Sequence, residues 1–318
     1  MPKKPLTEAQ RFEYGKVAYL YYTEHVTQDA IGKQMHMSRQ RVNRIIKECL
    51  EEGIVKIIVE YPGGGLTELE KSLLKKYHLK HVQVVANIRP ENIYTDLGEA
   101  AGSYLASAAK KGDIIGFTRG QTLSVMAEVM KPVTGKDLTV VQLMGSRNNV
   151  PQNTASNQIV VNFARKLNAK LVAMLVPITV GSPEMKVNLI KEHSFQDTYQ
   201  TLKLCNIAVV GIGAGTSLKR MHDLFPEKEL SDILQIDEGI QVAGEIGTHM
   251  FDFEGRAIKN KLRNRIIATE LDDFKRIPLR IGVAGSPEKV KAIHGALVGG
   301  YVNDLIVDSS TAKILEKL

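Results

Sequence analysis

Hydrophobic positions divide the chain into two textures. From Thr7 to about Glu52 they recur at helical spacing. Beyond about His81 they gather into short continuous runs separated by helical segments. In the first region, residues 7–24 read as a helix capped by Thr7, offering Phe12, Val17, Ala18, Tyr21 and Tyr22 to a small core. Thr27–Gln34 reads as a second helix, capped by Thr27 with Asp29 in its first turn. His36 and Met37 make a turn. Ser38 then caps a third helix, in which Val42, Ile45, Ile46, Cys49 and Leu50 follow the i, i+3, i+4, i+7, i+8 pattern of one buried face. Gly53 stands as its C-cap, and the β-branched stretch Ile54–Tyr61 predicts a strand or hairpin, the wing of a winged helix-turn-helix. Pro62-Gly63-Gly64-Gly65 is the strongest break in the sequence. Leu66, Leu69, Leu73 and Tyr77 then stripe a further helix, suited both to opening the second domain and to pairing two subunits.

Beyond it the apolar runs 81–86, 113–117, 138–144, 170–176, 206–212, 279–284 and 304–307 alternate with helical stretches at 96–110, 121–130, 154–167, 183–200, 287–297 and 309–318. Continuous apolar strands separated by helices predict a parallel sheet covered on both faces. The expected fold class is therefore an α+β multidomain chain: an N-terminal winged helix-turn-helix followed by a doubly wound α/β domain. Its boundaries are 1–61 for the first domain, 62–80 for a linker and oligomerisation helix, and 81–318 for the second domain. A length of 318 residues agrees with more than one core.

Charge sharpens the first domain. Opposite the apolar stripe of the third helix lie Arg39, Gln40, Arg41, Asn43 and Arg44, with Lys47 behind them. Arginine reads guanine bidentately, Asn and Gln read adenine, and cations neutralise phosphates. With Gln28 and Ser38 at the two helix starts, these residues form the candidate DNA-contacting set of a helix-turn-helix. The net charge of +7 suits a polyanionic partner without requiring one. An RNA-binding or purely structural chain is disfavoured, because no aromatic platform interleaves the basic residues. Cys49 and Cys205 sit in apolar runs outside any metal spacing and read as buried thiols. No targeting segment and no apolar run of membrane-spanning length occurs, so a cytoplasmic protein without membrane contact is expected.

In a doubly wound domain, ligands bind beyond the carboxyl ends of the strands. Four Gly-bearing loops fall there: Thr118-Arg119-Gly120-Gln121-Thr122, Met144-Gly145-Ser146-Arg147, Ile212-Gly213-Ala214-Gly215-Thr216 and Ala284-Gly285-Ser286-Pro287-Glu288-Lys289. A helix N-terminus behind such a loop offers amides to an anion such as phosphate, and Lys289 is a cation that completes such a site. In the stretch 244–255, Glu245 and Asp252 are carboxylates suited to sugar hydroxyls. His249 between them admits acid–base chemistry on a sugar phosphate, or a plain hydrogen-bonding role. The glycines at 211–215 lack the dinucleotide spacing, and no P-loop, HExxH or Ser-His-Asp pattern appears, so no cofactor, no metal site and no catalytic residue is expected.

With these motifs in hand, the chain resembles the SorC family of bacterial transcriptional regulators almost end to end. The resemblance is carried by TQDAIGKQMHMSRQRVNRIIKECLEEGIVKI, GDIIGFTRGQT, SNQIVVNFARKLNAK, VVGIGA, GEIGTHMFDFEG and AGSPEKVKAIHGALVGGYVNDLIVD. It implies an effector domain related in fold to glucosamine-6-phosphate deaminase and ribose-5-phosphate isomerase, holding a phosphorylated sugar without turning it over. On that resemblance Gly120, Gln121, Thr122 and Lys289 match phosphate-holding positions, and Glu245, Asp252 and Asn157 match positions near the sugar. Gly145 and Gly213 belong to the neighbouring loops. Operator DNA, a phosphorylated sugar and further copies of the chain, as dimer or tetramer, are the implied partners. The alternative is an active sugar-phosphate isomerase or deaminase carrying an added DNA-binding segment. This sequence departs from the family at Arg119 and Gln121, and at Ala284-Gly285-Ser286, where a second glycine is usual.

Overall fold

A computed structural model describes residues 6–55, 66–86, 91, 93–146, 156–215 and 241–318. The chain divides into two compact units, Met1–Gly64 and Gly65–Leu318, so the striped helix at 66–77 belongs with the second. The expected wing falls mostly on 56–61 and the Pro-Gly linker on 62–65, outside the described residues.

In the first unit, α1 (Glu8–Ala18) runs into a π turn (Tyr19–Thr23), followed by α2 (Gln28–Gln34) and α3 (Arg39–Glu51). The caps form as local chemistry dictates. Thr7 and Gln10 make a reciprocal capping box, Thr27 accepts from the Ala30 amide, and Ser38 accepts from the Arg41 amide. Val42, Ile45, Ile46 and Cys49 meet Tyr14, Val17, Ala18 and Ile31 in one core. Two expectations fail here. Phe12 is 78% exposed and Leu50 is 42% exposed. On α1 the inward positions are Tyr14, Val17 and Ala18, one turn set that leaves Phe12 facing outward.

The second unit is built on a seven-stranded parallel sheet. Its strands are β1 (His81–Val85), β2 (Ile114–Phe117), β3 (Thr139–Gln142), β4 (Lys170–Val172), β5 (Ile207–Gly211), β9 (Leu279–Val283) and β10 (Asp304–Asp308). They lie side by side in the order β1-β10-β9-β5-β2-β3-β4. Successive residues of β5 point to opposite faces: Ile207 and Val209 join one core, Ala208 and Val210 the other. The first core is roofed by α5 (Ile93–Ala108), α6 (Gln121–Val129) and α7 (Ser156–Lys166). The second is roofed by α4 (Leu66–Tyr77), α9 (His193–Lys203), α11 (Val290–Val298) and α12 (Ser309–Lys317). Helices on both faces make the sheet doubly wound.

Leu69, Leu73 and Tyr77 of α4 are buried within this unit's own core, which accounts for the apolar stripe seen in the sequence. The expected single helix at 183–200 is two, α8 (Pro183–Lys191) and α9, broken where Glu192 takes an extended conformation. Short α10 (Leu271–Arg276) precedes β9. The stretch around Glu245 forms β7 (Gly244–Ile246) and β8 (His249–Phe251), which with β6 (Gly213–Ala214) make a three-stranded antiparallel sheet.

Candidate nucleic-acid interface and effector site

In the first unit, α2 and α3 meet through a turn that needs Gly32. A Cβ there would stand 2.7 Å from the Met37 carbonyl, and His36 takes a positive φ of 54° to complete the reversal. The buried stripe fixes the outward face of α3, on which Gln40, Asn43, Arg44 and Lys47 are all exposed. Arg39 and Ser38 are exposed at its start, and Gln28 is half-buried at the start of α2. Arg41 is held differently from its neighbours. Its Nη2 donates to both carboxylate oxygens of Glu13 on α1, at 3.0 and 3.2 Å. Arg39 and Arg44 have only looser ion pairs, with Asp29 at 3.7 Å and Glu48 at 4.0 Å. Glu48 in turn accepts from the buried Tyr14 hydroxyl, a bond that with burial pushes the Tyr14 pKa up to about 12. The side chain therefore stays a donor and ties α3 to α1.

In the second unit, strand order locates a crevice at the sheet edge. From β2 the chain proceeds outward to β3 and β4, and from β5 it proceeds the other way to β9 and β10. The adjacent ends of β2 and β5 are thus the topological switch point, where connections diverge and leave a crevice. Thr118 and Gly211 line it, joined by a 3.4 Å bond from the Gly211 amide to the Thr118 hydroxyl. Next, Gly120 adopts φ 138°, a conformation open to glycine, and opens α6 without a side-chain cap. The first intrahelical bond is from the Ser124 amide to Gly120 O, so the amides of Gln121, Thr122 and Leu123 precede it and point beyond the helix end. Thr122 is buried and Gln121 exposed.

Two strands away, the chain leaves β9 through Gly285 and Ser286 into a 3-10 turn, Pro287–Lys289, that leads into α11. This loop is gripped by Asp308 at the end of β10, a residue that the sequence reading missed. One carboxylate oxygen of Asp308 accepts from the Ser286 amide at 2.9 Å, and the other from the amides of Ser310 and Thr311, both at 3.0 Å. An Asp ahead of Ser-Ser-Thr is an N-cap pattern, but its reach across to Ser286 is tertiary. Lys289 Nζ lies 5.7 Å from the centroid of the Tyr94 ring on α5. Glu245 of β7 pairs with Gly213 of β6, and a Cβ at Gly213 would meet its side chain at 2.8 Å. Glu245 therefore lies across the short strand that follows the switch point. Asn157 is exposed in the first turn of α7, which follows β3 to the same edge.

Two of the sequence candidates are engaged in structure. The Gly145 amide donates to Ile267 O, and a Cβ there would stand 2.7 Å from Pro177 O. Asp252 lies beyond β8, beside the second half of α11, where Gly295 approaches its carbonyl. Its carboxylate accepts from Arg256 through the backbone amide at 2.8 Å and through Nε at 2.7 Å. Neither is placed by these bonds toward the switch point.

The turn between β7 and β8 is Gly247-Thr248, both at positive φ, and Gly247 sits against Thr118. A β-branched residue at φ 83° is strained, and Arg263 holds it by donating to the Thr248 hydroxyl at 3.0 Å. Arg263 also pairs with Glu270, which pairs with Lys186 at 2.8 Å. Nothing in the sequence announces this group, since its members are spread from 186 to 270.

His249, the one candidate for acid–base chemistry, is 6% exposed, and its Nε2–H donates to Thr269 O at 3.1 Å. Burial, helped by Arg263, lowers its pKa to about 3. It is thus the hydrogen-bond donor of the two roles considered. The folded-state pKa lies below the unfolded value near 6.5, so no penalty exists above pH ~6.5. Below that, the unfolded chain binds a proton the folded chain does not. Stability therefore falls by about 1.4 kcal/mol per pH unit, down to the folded pKa. Replacing His249 with Gln is expected to remove about 2 kcal/mol of the stability lost between pH 7 and pH 5. Urea titrations of both proteins at those two pH values measure it; an unchanged pH slope in the variant refutes this role.

Among the described residues, no helix is long and apolar enough to cross a membrane, and no cluster of His, Cys, Asp and Glu is suited to a metal ion. Compared with known proteins, residues 61–316 match the family model described as "Putative sugar-binding domain", and residues 16–52 match sigma-70, region 4. The chain is 31% identical over 304 residues to the deoxyribonucleoside regulator of Bacillus subtilis, covering 94% of this chain and 96% of that protein. It is 26% identical over 302 residues to the transcriptional regulator LsrR of Escherichia coli, covering 94% and 93%. Among solved structures, the full-length sorbitol operon regulator SorC of Klebsiella pneumoniae superposes with a TM-score of 0.74 at 24% identity, over 97% of this chain and 100% of that one.

Proposed function

This chain belongs to the SorC family of transcriptional regulators, with an N-terminal helix-turn-helix and a C-terminal sugar-binding domain, and from that premise we propose that a phosphorylated sugar sets its affinity for operator DNA. The regulated genes would form a carbohydrate or nucleoside catabolic operon. Its relatives are named as regulators, and it is a regulator rather than an isomerase or deaminase.

The observation that carries the reading is the uncapped N-terminus of α6 at the switch point, with Lys289 on the same sheet edge. Adjacent parallel strands lie about 4.8 Å apart, so the loops after β2 and β9 are roughly 10 Å apart. A phosphate on the α6 amides is then within reach of the long Lys289 side chain, and the sugar extends toward Glu245 and the Gly247-Thr248 turn. Asn157 stands at the start of a third helix on that edge. Backbone amides, the helix dipole and a cation together select an anion. The proposed domain limits are 1–61 and 81–318, with 62–80 as linker and oligomerisation helix, a helix that itself packs into the core of the second unit.

A route outward runs through α11. Gly244 of β7 packs on Ala292, and Phe251 of β8 on Gly295. Between these positions on α11, His294 Nδ1 lies 3.0 Å from the Tyr77 hydroxyl of α4, and the Phe253 ring stacks on the imidazole at 4.3 Å. A ligand that favours one seating of Lys289 and Glu245 thereby favours one seating of α4, the helix that follows the linker. In an oligomer bound to two half-sites, that shift changes how well the recognition helices are spaced. Dimeric or tetrameric assembly is part of the proposal.

Thermal unfolding against pentose and hexose phosphates, their parent sugars and inorganic phosphate tests the ligand class. A matching sugar phosphate at 100 times its Kd is expected to stabilise the chain by about 2.7 kcal/mol, with its parent sugar much weaker. Equal stabilisation by parent sugars, with none specific to the phosphate esters, contradicts the proposal.

A further inference from the structure

The arginines of α3 differ in what they face. Taking roughly 100° of rotation per residue, the buried stripe of Val42, Ile45, Ile46 and Cys49 defines an inward direction. Gln40, Arg44 and Lys47 lie near the opposite direction, with Asn43 beside them. Arg41 lies roughly 90° away from that outward direction, on the side where α1 packs. The contacts agree with this geometry: Arg41 Nη2 is within 3.2 Å of both oxygens of Glu13, an acid whose side chain is 29% exposed. On the same flank Tyr14 donates to Glu48, two turns of α3 further on, so two residues of α1 hold α3 at two points along its length. Arg44 has a side chain 68% exposed, against 51% for Arg41, and its ion pair with Glu48 is a looser 4.0 Å.

We propose that Arg41 is a positioning residue, which seats the recognition helix on α1 through Glu13, and that base reading falls to Gln40, Asn43 and Arg44. This rests on the helix-turn-helix reading of α2 and α3. The chemistry divides accordingly. Gln40 and Asn43 are suited to adenine and Arg44 to guanine, while Lys47 meets phosphate. With Nη2 given to Glu13, Arg41 has only Nε and Nη1 left for a base edge, and its reach is fixed by α1; a carboxylate beside the groove opposes the phosphates unless it is neutralised. The Glu13–Arg41 pair meets that second requirement while fixing the angle at which α3 projects.

The test uses the full chain and a random duplex library. Wild type, Arg41→Glu, Glu13→Arg, the double swap, Glu13→Gln and Arg44→Ala are each taken through selection, then titrated against the wild-type-selected duplex and a scrambled one. Arg41→Glu and Glu13→Arg are each expected to weaken selected-duplex binding by tenfold or more. The double swap is expected to restore it to within about threefold of wild type, with the same base preference at every position, since the pair is reversed but kept. Arg44→Ala is expected to lose preference at one or two adjacent base pairs. Glu13→Gln, which removes the charge without changing shape, is expected to lower the ratio of selected to scrambled binding, with base preferences unchanged. A double swap that loses the preference at one base pair, or a Glu13→Gln ratio above wild type, makes Arg41 a base reader and overturns the proposal. A wild-type chain that enriches no sequence overturns the helix-turn-helix reading itself, and the inference with it.

Discussion

Asp308→Ala is expected to lower the unfolding free energy by about 2–4 kcal/mol and to loosen the loop that carries Lys289. The carboxylate is 1% exposed and accepts from three backbone amides, those of Ser286, Ser310 and Thr311, besides the Ser310 hydroxyl. It is the N-cap of α12 and the clasp of the β9 loop at once. Alanine leaves those amides in a space that water enters poorly, and an unsatisfied buried amide costs about 1–3 kcal/mol. The position tolerates no crowding from the other side either, since a Cβ on Gly285 would stand 2.5 Å from the same carboxylate.

The pH dependence of this clasp has a definite sign. Burial is the largest single influence and raises the Asp308 pKa, but the bonds from Ser310, Thr311 and Ser286 together hold it below the usual carboxylate range. A depressed folded-state pKa means that the ionised group stabilises the fold above the unfolded value of about 3.9, and that this is lost as pH falls through the folded value. The stability difference between wild type and the variant, measured by urea titration, should therefore be full at pH 7 and shrink below pH ~4. An equal difference at both pH values would falsify the assignment of that stability to the charged form.

Lys289→Ala is expected to weaken sugar-phosphate binding by roughly 10–100-fold while leaving duplex affinity without ligand at the wild-type level. A charge-assisted hydrogen bond contributes about 1.5–3 kcal/mol, which is one to two decades in Kd. The residue ends the turn that Asp308 clasps, beside the Tyr94 ring, and it is placed there by backbone geometry on both sides: Ser286 at φ 95° before it and α11 after it. Isothermal titration with the stabilising ester, alongside duplex titration without it, separates the two effects. Wild-type ester affinity in the variant removes Lys289 from the phosphate site. A parallel loss of duplex affinity makes its role structural.

What was legible in the sequence follows from how local each signal is. The sheet strands were readable because parallel strands covered on both faces are continuously apolar, as in Ile207–Val210. Helix starts were readable because Thr7, Thr27 and Ser38 act within three residues of themselves. The β7–β8 hairpin was not, because its strands have three residues each and its turn sets Thr248 where a β-branched residue is unexpected. Leu50 fits helical periodicity but falls at the margin of its stripe, a place decided by the neighbouring helix, whereas Phe12 lies on the face of α1 opposite Tyr14, Val17 and Ala18. The partners that define the site's rigidity are tertiary: Asp308 with Ser286, Arg263 with Thr248, Arg41 with Glu13. Residue types that pair so readily with many others give no sequence cue to which pairing forms. The Gly120 loop was found because strand, glycine and helix follow one another directly, and strand order then placed it at the switch point.

The central claim is that one phosphorylated sugar controls duplex affinity. Its direct test is a fluorescence anisotropy titration of a selected duplex with the full chain at fixed salt, with the stabilising sugar phosphate saturating, then with its parent sugar at the same concentration. Coupling between two sites is typically 1–3 kcal/mol, so the ester is expected to change the duplex Kd by about 5–150-fold in one direction, and the parent sugar to leave it near the unliganded value. A Kd that is the same with and without the bound ester contradicts the account.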